Sequence, residues 1–441
     1  MSASDTIVAP ATPLGRSALA IVRIDGPGSA AIVSSLTGSL PQERIATHTE
    51  IRHKQDVIDD CVVVRFVGPR SFTGNDLAEL TLHGNPLIVQ QVITACVELG
   101  ARMAEPGEFT ERAVLNGKLD LVQAESIADL INARTALQAK LSLHNMEGLL
   151  SQTATGIRDA MLHVISRLEA ALDFAEEGYE FIPRDDARAR IERALDDVRT
   201  LASTFRRGRA TQSGVSAVIL GRPNAGKSTL LNRLVGSDRA IVTPIPGTTR
   251  DIVRETIEIG GLPVTLADTA GLRESGDVVE SIGVHRARDA ARSAHVVLYL
   301  VDASSGLDDS DRAEMARLVD QLVIVIYTKR DLSAPPAGTM SISAVSGAGM
   351  SELLEHLDVL IRERFAAPEG SPTIVNERQL SALNESASAL QRALDSISIE
   401  ASEELIVVDL HAAAGALASL TGGISRDDVL AEIFSKFCIG K

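Results

Sequence analysis

The fold is decided by one loop, which reads Gly221-Arg222-Pro223-Asn224-Ala225-Gly226-Lys227-Ser228. It fits the pattern G-x-x-x-x-G-K-S of a phosphate-binding loop, and it lies between a predicted strand (215–220) and a predicted helix. Its glycines allow backbone N–H groups to converge on phosphate oxygens. We expect the Lys227 ammonium to reach the β- and γ-phosphates and the Ser228 hydroxyl to bind Mg²⁺. The loop therefore predicts a P-loop nucleotide-binding domain.

Two further motifs follow the loop in the order that a GTPase requires. The first is the stretch Gly247-Thr248-Thr249-Arg250-Asp251, which can supply a threonine that binds Mg²⁺. The second, Asp268-Thr269-Ala270-Gly271, ends a predicted strand (264–267). Here Asp268 can hold the metal through water, and the Gly271 N–H can contact the γ-phosphate.

The guanine-binding motif is expected at the end of the predicted strand 322–327, in the sequence Thr328-Lys329-Arg330-Asp331. Asp331 can accept hydrogen bonds from N1 and N2 of guanine. The motif usually begins with Asn, and Thr328 keeps one donor but lacks the second group of the amide. We therefore expect guanine preference to persist with weaker affinity. The predicted GTP contacts are Asn224, Ala225, Gly226, Lys227, Ser228, Thr229, Thr243, Ile245, Gly247, Thr248, Thr249, Asp268, Thr269, Ala270, Gly271, Lys329, Asp331, Ser343 and Ala344.

The group that orients the attacking water is not evident from the motifs. Ras-like proteins place Gln directly after Asp-x-x-Gly, but this position holds Leu272, which cannot orient water. Asn224 could help to cage a monovalent cation that replaces an arginine finger, or it could hydrogen-bond only its own loop. Glu280 could orient the water, or it could be a solvated carboxylate near a helix end. The residues alone leave both pairs of alternatives open.

A chain of 441 residues corresponds to about three domains. The pattern of apolar residues along the sequence changes three times. Residues 1–118 mix strands and helices, 119–212 show the apolar spacing of bundle helices, and 213–368 alternate strand and helix as a mostly parallel sheet does. After a linker at 366–372, helical spacing returns in residues 369–441. These roughly 70 residues are few for an independent core. We expect an α/β and all-α multidomain protein in which the P-loop domain is inserted into the bundle; a separate small C-terminal domain is the alternative.

Composition restricts the classes of partner and compartment. The formal net charge is −16 and aromatic residues make up 3%, so a surface coated with nucleic-acid contacts is not expected. A local basic patch remains compatible with this charge, and Arg206, Arg207 and Arg209 are candidates, although they could instead only support helix ends. The three cysteines give no disulfide framework, which suits a reducing cytoplasm. No apolar run approaches the roughly 20 residues of a membrane helix, and no signal peptide is evident.

Several separated motifs together resemble the bacterial tRNA-modification GTPase family called MnmE or TrmE. The P-loop, the loop at 247–251 and the stretch Asp268-Thr269-Ala270-Gly271-Leu272-Arg273-Glu274 fit it, and so does the terminus Phe437-Cys438-Ile439-Gly440-Lys441. Near the start, the stretches 5–9, 71–74, 106–110 and 118–125 also resemble the family. The resemblance spans the whole chain.

The resemblance implies a cytoplasmic homodimer with a K⁺-stimulated GTPase activity that needs Mg²⁺. It implies a flavin-dependent partner of the MnmG (GidA) type, which forms a heterotetramer with the chain. Together the two would form a 5-carboxymethylaminomethyl group on the wobble uridine of certain tRNAs. The one-carbon donor would be a tetrahydrofolate derivative, in the 5-formyl or 5,10-methylene form.

The resemblance also implies roles for individual residues. The Mg²⁺ ligands would be Ser228 and Thr249, and Glu280 would orient water. The K⁺ ligands would be Asn224, Thr243, Ile245 by its carbonyl, and Thr248. The folate contacts would be Arg23, Glu79, Lys118 and Lys441, which suits a ligand with a donor edge and an anionic tail. Cys438 would lie near the folate and act in the modification chemistry; read alone, it is a small apolar residue.

Two other functions compete with this interpretation. A ribosome-assembly GTPase that binds RNA as a switch shares the P-loop, but such proteins have a second G domain or a basic RNA-binding domain. A folate-dependent one-carbon transferase with a regulatory G domain would turn over folate without partner or tRNA. The single P-loop, the acidic balance and the Cys438 terminus favour tRNA modification.

Overall fold

The computed structural model describes residues 5–174, 181–236, 239–241, 254–268, 289–423, 430, 433–435 and 437–440. The chain divides into two compact units. The first comprises Met1–Ala128, Asn145–Ile191 and Ser388–Lys441, and the second comprises Asp129–His144 and Glu192–Ala387. The second unit contains the P-loop.

The first unit is built on a six-stranded sheet. Its strands are β1 (Ile7–Pro10), β2 (Leu19–Asp25), β3 (Thr47–His53), β4 (Asp56–Phe66), β5 (Leu77–His83) and β6 (Arg102–Met103), in the order β3-β4-β5-β2-β1-β6. All pairs are antiparallel except β1 with β6. Val22, Ile24, Leu80 and Leu82 alternate toward the core, so Arg23 lies on the other face. The expected mixture of strands and helices is confirmed.

Two helices cover the core face of this sheet. They are α1 (Ser29–Thr37) and α2 (Pro86–Glu98). Helix α2 begins at Pro86, because the Asn85 side chain accepts a hydrogen bond from the Leu87 N–H and Pro86 occupies the first turn. Their inward side chains, Ile32, Val33, Val89 and Val92 among them, join the strand residues in one core.

Helices make up much of the remaining chain. Their bounds are α3 (Glu108–Leu115), α4 (Leu121–Ile131), α5 (Ala136–Met146), α6 (Leu149–Asp173), α7 (Arg184–Ser203) and α8 (Phe205–Ser213). The apolar stripe predicted for α6 is confirmed for Ala154, Ile157, Met161, Ile165 and Leu168, which are all buried, whereas its last member, Leu172, is half-buried. The bundle-like spacing in this part of the sequence was therefore a correct guide to helices.

The expectation that no apolar run approaches membrane-helix length is wrong for one helix. Two helices lie near the C-terminus, α12 (Glu377–Ser398) and α13 (Glu403–Thr421). By length and composition alone, α13 is apolar enough to cross a membrane. It packs along α6 in the first unit and buries Ile406, Leu410, Leu417 and Leu420, as the core helix of a globular unit does.

The second unit contains a five-stranded sheet. Its strands are β7 (Val215–Gly221), β8 (Arg254–Ile259), β9 (Leu262–Asp268), β10 (Val296–Asp302) and β11 (Leu322–Thr328), in the order β11-β10-β7-β9-β8. Strand β8 is antiparallel to β9 and the other pairs are parallel, which confirms the predicted sheet. Its described helices include α9 (Lys227–Val235), α10 (Asp309–Met315) and α11 (Met350–Phe365). Continuous apolar runs in β7 and β10 are buried on both faces, as in parallel sheets generally.

Candidate functional site

The parallel strands of the second unit end at one edge of the sheet, and the predicted motifs meet there. Leu300 of β10 lies beside Gly221, and Asp302 lies beside Thr328. On the other side of β7, Asp268 is the last residue of β9. Because ligands of open α/β sheets bind outside the carboxyl ends of the strands, this edge is the expected nucleotide site. The P-loop, the Asp268 motif and the guanine motif therefore begin side by side.

The P-loop backbone depends on residues in left-handed conformations. Gly221 has φ +137°, and a Cβ atom there would lie 2.3 Å from the Leu300 carbonyl oxygen. Asn224 (φ +63°) and Gly226 (φ +91°) are also left-handed, and α9 starts directly afterwards at Lys227. This arrangement presents the first N–H groups of a helix to the loop, which suits phosphate oxygens.

Lys227 lies across the mouth of the P-loop. Its ammonium donates hydrogen bonds to the carbonyl oxygens of Gly221 at 2.9 Å and Arg222 at 2.8 Å. The Ala225 N–H donates to the Arg222 carbonyl at 3.2 Å and tightens the turn. The positive charge is thus held where the phosphates of a nucleotide would lie.

Thr328 ties the guanine motif to the P-loop. Its hydroxyl donates a 2.8 Å hydrogen bond to the Ala225 carbonyl and lies 3.3 Å from the Val301 carbonyl, and the residue is only 3% exposed. The single donor that Thr retains relative to Asn is thus used inside the site. Asp331 is exposed at the end of the motif, where a base can reach it.

Lys329 follows with a left-handed backbone (φ +60°) and pairs with Asp302 at 2.7 Å. This hydrogen bond, with those from Ser304, lowers the pKa of Asp302 to about 2. The aliphatic stem of Lys329 is therefore fixed beside the motif. A fixed stem can cover one face of a bound base.

The loop with Ser343 and Ala344 lies beside β11. The Ile342 N–H donates to the Tyr327 carbonyl at 2.8 Å, and the Tyr327 N–H donates to Met340 at 2.9 Å. Ser343 is buried, and its hydroxyl accepts a hydrogen bond from the Ser346 N–H at 3.1 Å. The residues predicted to line the base pocket therefore lie next to Thr328.

A brace that the sequence did not predict holds Arg222 of the P-loop. Its guanidinium pairs with Asp308 and, at 3.2 Å, with Asp311. Asp311 is 3% exposed and accepts a 2.9 Å hydrogen bond from the Tyr299 hydroxyl. Burial and this bond raise the Tyr299 pKa. The signal available in the sequence was Asp308-x-x-Asp311, which forms a capping box at the start of α10.

Part of the predicted site lies outside the described residues. The residues concerned are Thr243, Ile245, Gly247, Thr248, Thr249, Thr269, Ala270, Gly271, Glu280 and Lys441. Only the backbone of Asp268 is described. Their predicted roles stay predictions.

In the first unit, Arg23 and Glu79 form an ion pair across β2 and β5. Arg23 Nη2 lies 2.6 Å and Nε 3.1 Å from Glu79 Oε1. The guanidinium also lies over two rings, 5.5 Å from the centroid of Phe72 and 5.6 Å from that of Phe109. A cation that is paired with a carboxylate thus lies over two aromatic rings, an arrangement that the sequence did not reveal.

Lys118 contacts the loop that also provides Phe72. Its ammonium donates a 3.1 Å hydrogen bond to the Pro69 carbonyl. A Cβ atom on Gly74 (φ +84°) would lie 3.3 Å from Lys118 Cγ, so the loop and the lysine are in close contact. Three of the four predicted folate residues therefore gather around the loop between β4 and β5.

A buried ionic network holds the loop between β4 and β5 in place. Asp25 is fully buried and binds Arg112 at 3.0 Å, Asn75 at 3.1 Å and the Thr73 hydroxyl. Burial alone would raise the pKa of the neighbouring Glu108, but hydrogen bonds from Arg102 lower it below its usual value. Removing one partner of such a network leaves a buried charge uncompensated, so the loop is strongly held.

The C-terminal segment lies against the start of α3. The Cys438 carbonyl accepts a 3.4 Å hydrogen bond from the Gly107 N–H, and Ile439 pairs with Pro106. A Cβ on Gly440 would lie 2.0 Å from the Pro10 carbonyl oxygen, so the backbones approach very closely. The Cys438 side chain is exposed, whereas burial raises the pKa of the Cys61 and Cys96 thiols to about 12. Cys438 is therefore the accessible thiol. Its backbone is hydrogen-bonded to Gly107, which precedes Phe109 by two positions in the sequence.

Two of the three basic candidates near α8 are engaged within their own unit, whereas Arg206 is exposed. Arg207 donates to the Glu363 carbonyl at 3.1 Å. Arg209 pairs with Glu377 and lies 5.7 Å from the centroid of the Phe205 ring. For Arg207 and Arg209, these contacts favour the alternative in which the side chains only support neighbouring helices.

Comparison with known proteins gives consistent matches. The family described as MnmE helical domain matches residues 121–438, and the family described as GTP-binding protein TrmE N-terminus matches residues 6–118. A solved structure of Era from Aquifex aeolicus bound to GDP.AlF4- covers 40% of this chain and 66% of its own, at 27% identity and a TM-score of 0.27. That score is too low to support an argument.

Full-length relatives carry one name. A protein of Nitrosospira multiformis called tRNA modification GTPase MnmE is 40% identical over 459 residues and covers 100% of both chains. A protein of Azoarcus sp. with the same name is 41% identical over 448 residues, which cover 99% of this chain and 98% of that one. The matches extend over the P-loop edge, the Arg23–Glu79 region and the Cys438 terminus alike. The chain therefore belongs to the MnmE family of tRNA modification GTPases.

Proposed function

We propose that this tRNA-modifying GTPase is stimulated by K⁺ and works with a flavin-dependent partner of the MnmG type. Together they form the 5-carboxymethylaminomethyl group on the wobble uridine of certain tRNAs, with a tetrahydrofolate derivative as one-carbon donor. The observation that supports this most is the coexistence in one chain of two sites. One is the nucleotide edge around Ala225 and Thr328, and the other is the Arg23–Glu79 pair, whose guanidinium lies over the rings of Phe72 and Phe109.

GTP hydrolysis is assigned to the carboxyl edge of the second sheet. Backbone N–H groups at the start of α9 and Lys227 bind the phosphates, and Asp331 binds the base. Ser228 and Thr249 would hold Mg²⁺, with Asp268 reaching it through water. The metal supplies charge neutralisation on the phosphates.

The monovalent cation is assigned to oxygen donors around the P-loop. They are the side chains of Asn224, Thr243 and Thr248 and the carbonyl of Ile245. Oxygen-only ligands suit a hard cation, and Asn224 is exposed on a left-handed turn of the P-loop. Glu280 would orient the attacking water in place of a glutamine.

The cation assignment is tested by GTP hydrolysis at matched ionic strength in K⁺ and Na⁺. We expect faster turnover in K⁺ and loss of that difference in Asn224→Ala. Equal rates of the unaltered protein in the two salts would refute the assignment.

Folate is assigned to Arg23, Glu79, Lys118 and Lys441. Glu79 can accept hydrogen bonds from the donor edge of a pterin ring, Phe72 and Phe109 lie where a ring could stack, and the lysines can pair with an anionic tail. Titration of 5-formyltetrahydrofolate into the full chain tests this. We expect Glu79→Gln to bind at least about tenfold more weakly, the loss of one charged hydrogen bond. The exposed control Arg52→Gln should bind as the unaltered protein does.

Cys438 is assigned a direct role in the modification. Its exposure and its attachment to Gly107, two residues before Phe109, support a position at the folate region. In cells whose only copy carries Cys438→Ser, the wobble uridine should lack the modification while GTP hydrolysis by the purified variant persists. Normal modification would show that the thiol is dispensable.

The assembly and the domain limits complete the proposal. The chain forms a homodimer through residues 1–118 and a heterotetramer with its partner in the cytoplasm. The helical domain comprises 119–212 and 369–441, and the G domain comprises 213–368. The family match that ends at residue 118 supports the first of these limits. The RNA-binding switch GTPase has no observation in its favour that tRNA modification does not share.

A further inference from the structure

A cleft in the second unit is lined by three arginines. None of the residues that line it has been assigned a role above. It has a volume of about 690 Å³, and its lining includes Arg134, Arg239, Glu258, Gly260, Asp358 and Arg362. All of these residues belong to the same compact unit. The cleft is separate from the P-loop edge, because it lies at the turn between β8 and β9, the opposite end of those strands from Asp268.

The acidic residues of the cleft are only partly available to balance the arginines. Both carboxylate oxygens of Asp358 accept a hydrogen bond from Arg239 Nη1, each at 2.8 Å. Asp358 Oδ1 accepts a further hydrogen bond from the Gly260 N–H at 2.6 Å. That pair is internally neutral, and both oxygens of its carboxylate already accept hydrogen bonds. Among the described residues that line the cleft, Glu258 is the only other carboxylate.

The two remaining guanidinium groups have unused donors. Arg362 uses Nε for the Gly260 carbonyl at 3.3 Å, and within the described ranges its terminal nitrogens make no hydrogen bond or ion pair. Its charge also lowers the pKa of Glu369, although Lys140 is the main cause. The Arg134 side chain is exposed and, in the same described part of the chain, has no hydrogen-bonding partner. A planar fork of donors of this kind matches phosphate oxygens.

The backbone around these arginines is rigid. Gly260 (φ +62°) and Gly261 (φ +84°) form the two-residue turn of the hairpin, and a Cβ on Gly260 would lie 2.7 Å from the Asp358 carbonyl oxygen. Beside Arg134, the Gln138 side chain accepts hydrogen bonds from the N–H groups of Arg134 (2.7 Å) and Thr135 (3.1 Å), and it donates to the Gln212 carbonyl at 2.8 Å. The two guanidinium groups are therefore presented from fixed backbone, which lowers the entropy cost of binding.

We propose that this cleft binds backbone phosphate of the tRNA, through Arg134 and Arg362. The inference rests on the tRNA-modifying role of the chain and adds where the RNA is held. A chain with net charge −16 repels RNA over most of its surface, so contact must be confined to local cations. Of the arginines near α8, Arg207 and Arg209 are engaged elsewhere and Arg206 does not line the cleft, whereas the forks of Arg134 and Arg362 are available there.

The test is titration of unmodified tRNA into the full chain at several salt concentrations. We expect the double variant Arg134→Ala/Arg362→Ala to bind about tenfold or more weakly at low ionic strength. The plot of log K against log[salt] should become shallower by about 0.7–0.9 per arginine removed. The double lysine variant should keep part of the affinity, since charge is retained while the fork is lost. Arg317→Ala, an exposed arginine of the same unit outside the cleft, is the matched control.

Each alternative outcome is distinct. Unchanged affinity and salt slope in the double alanine variant would overturn the proposal, as would the absence of tRNA binding by the unaltered protein at low ionic strength. If the substitutions weakened GTP binding and left the tRNA titration unchanged, the cleft would serve a free nucleotide and the RNA assignment would be wrong. None of these results affects the modification role itself, which is measured separately on cellular tRNA.

Discussion

The hydroxyl of Thr328 donates a 2.8 Å hydrogen bond to the carbonyl oxygen of Ala225, so the guanine motif and the phosphate loop are directly joined. Thr328 is 3% exposed, and Ala225 is 1% exposed. The two halves of the nucleotide site therefore cannot move apart without breaking a buried bond. The motif has Thr328 in place of the usual Asn, and the hydroxyl of Thr328 makes this connection.

Removal of that bond should weaken nucleotide binding without altering base choice. Thr328→Val keeps the shape of the side chain and leaves the Ala225 carbonyl without this donor, which costs about 1–3 kcal/mol. We expect a lower free energy of unfolding and several-fold weaker binding of GTP and GDP alike, measured by denaturation and by fluorescent-nucleotide titration. Thr328→Ser keeps the hydroxyl and serves as control. A change in GTP preference over XTP would show instead that Thr328 reads the base.

Base choice should depend on Asp331. Its carboxylate accepts from N1–H and the N2 amino group of guanine, and Asp331→Asn presents a donor that matches the O2 acceptor of xanthine. We expect GTP to lose about 10–100-fold in affinity, the worth of a charged hydrogen bond, while XTP gains. Competition between the two nucleotides measures this. Unchanged discrimination would remove Asp331 from the base pocket.

The pair of Lys329 and Asp302 should contribute to stability in a defined pH range. The pKa of Asp302 falls from 3.8 to about 2 in the folded chain, chiefly through the hydrogen bond from Lys329. Because the folded-state pKa is depressed, the contribution is fully present above about pH 4 and is lost as the pH falls through 2.

The corresponding measurement is the thermal midpoint of Asp302→Asn and of the unaltered protein across this range. Their difference should be largest near neutral pH and should shrink between pH 4 and 2. The exposed control Asp320→Asn should show no such convergence. A difference that stays constant with pH would mean that the pair does not stabilise the fold.

The sequence predicted what is local and periodic. Strand ends and turn residues placed the P-loop, Asp268 and Asp331 at one edge, because each motif directly follows a buried apolar run. It did not predict the Thr328–Ala225 and Arg112–Asp25 bonds, whose partners are 103 and 87 positions apart. Nothing in the spacing of the chain encodes such pairs; they follow from the strand order.

Helix α13 lies in the stretch 369–441 that was expected to be helical, but the length of its apolar stretch was underestimated. It is rich in alanine and apolar residues on most sides, so it lacks the polar face that marks an amphipathic helix in the sequence. Likewise, the stacking of Arg23 on Phe72 and Phe109 joins β2, a loop and α3, which no local pattern connects. The predicted residues Arg23 and Glu79 came from family resemblance, and their pairing across β2 and β5 came from the structure.

The central claim is that GTP hydrolysis at the P-loop edge is required for wobble-uridine modification. Mass spectrometry of wobble uridines tests it in cells that lack the gene and carry either the unaltered chain or Asp268→Ala. We expect modified uridine only with the unaltered chain, because loss of Asp268 disables the metal-dependent step. Full modification with Asp268→Ala, beside unmodified uridine in the deletion, would contradict it.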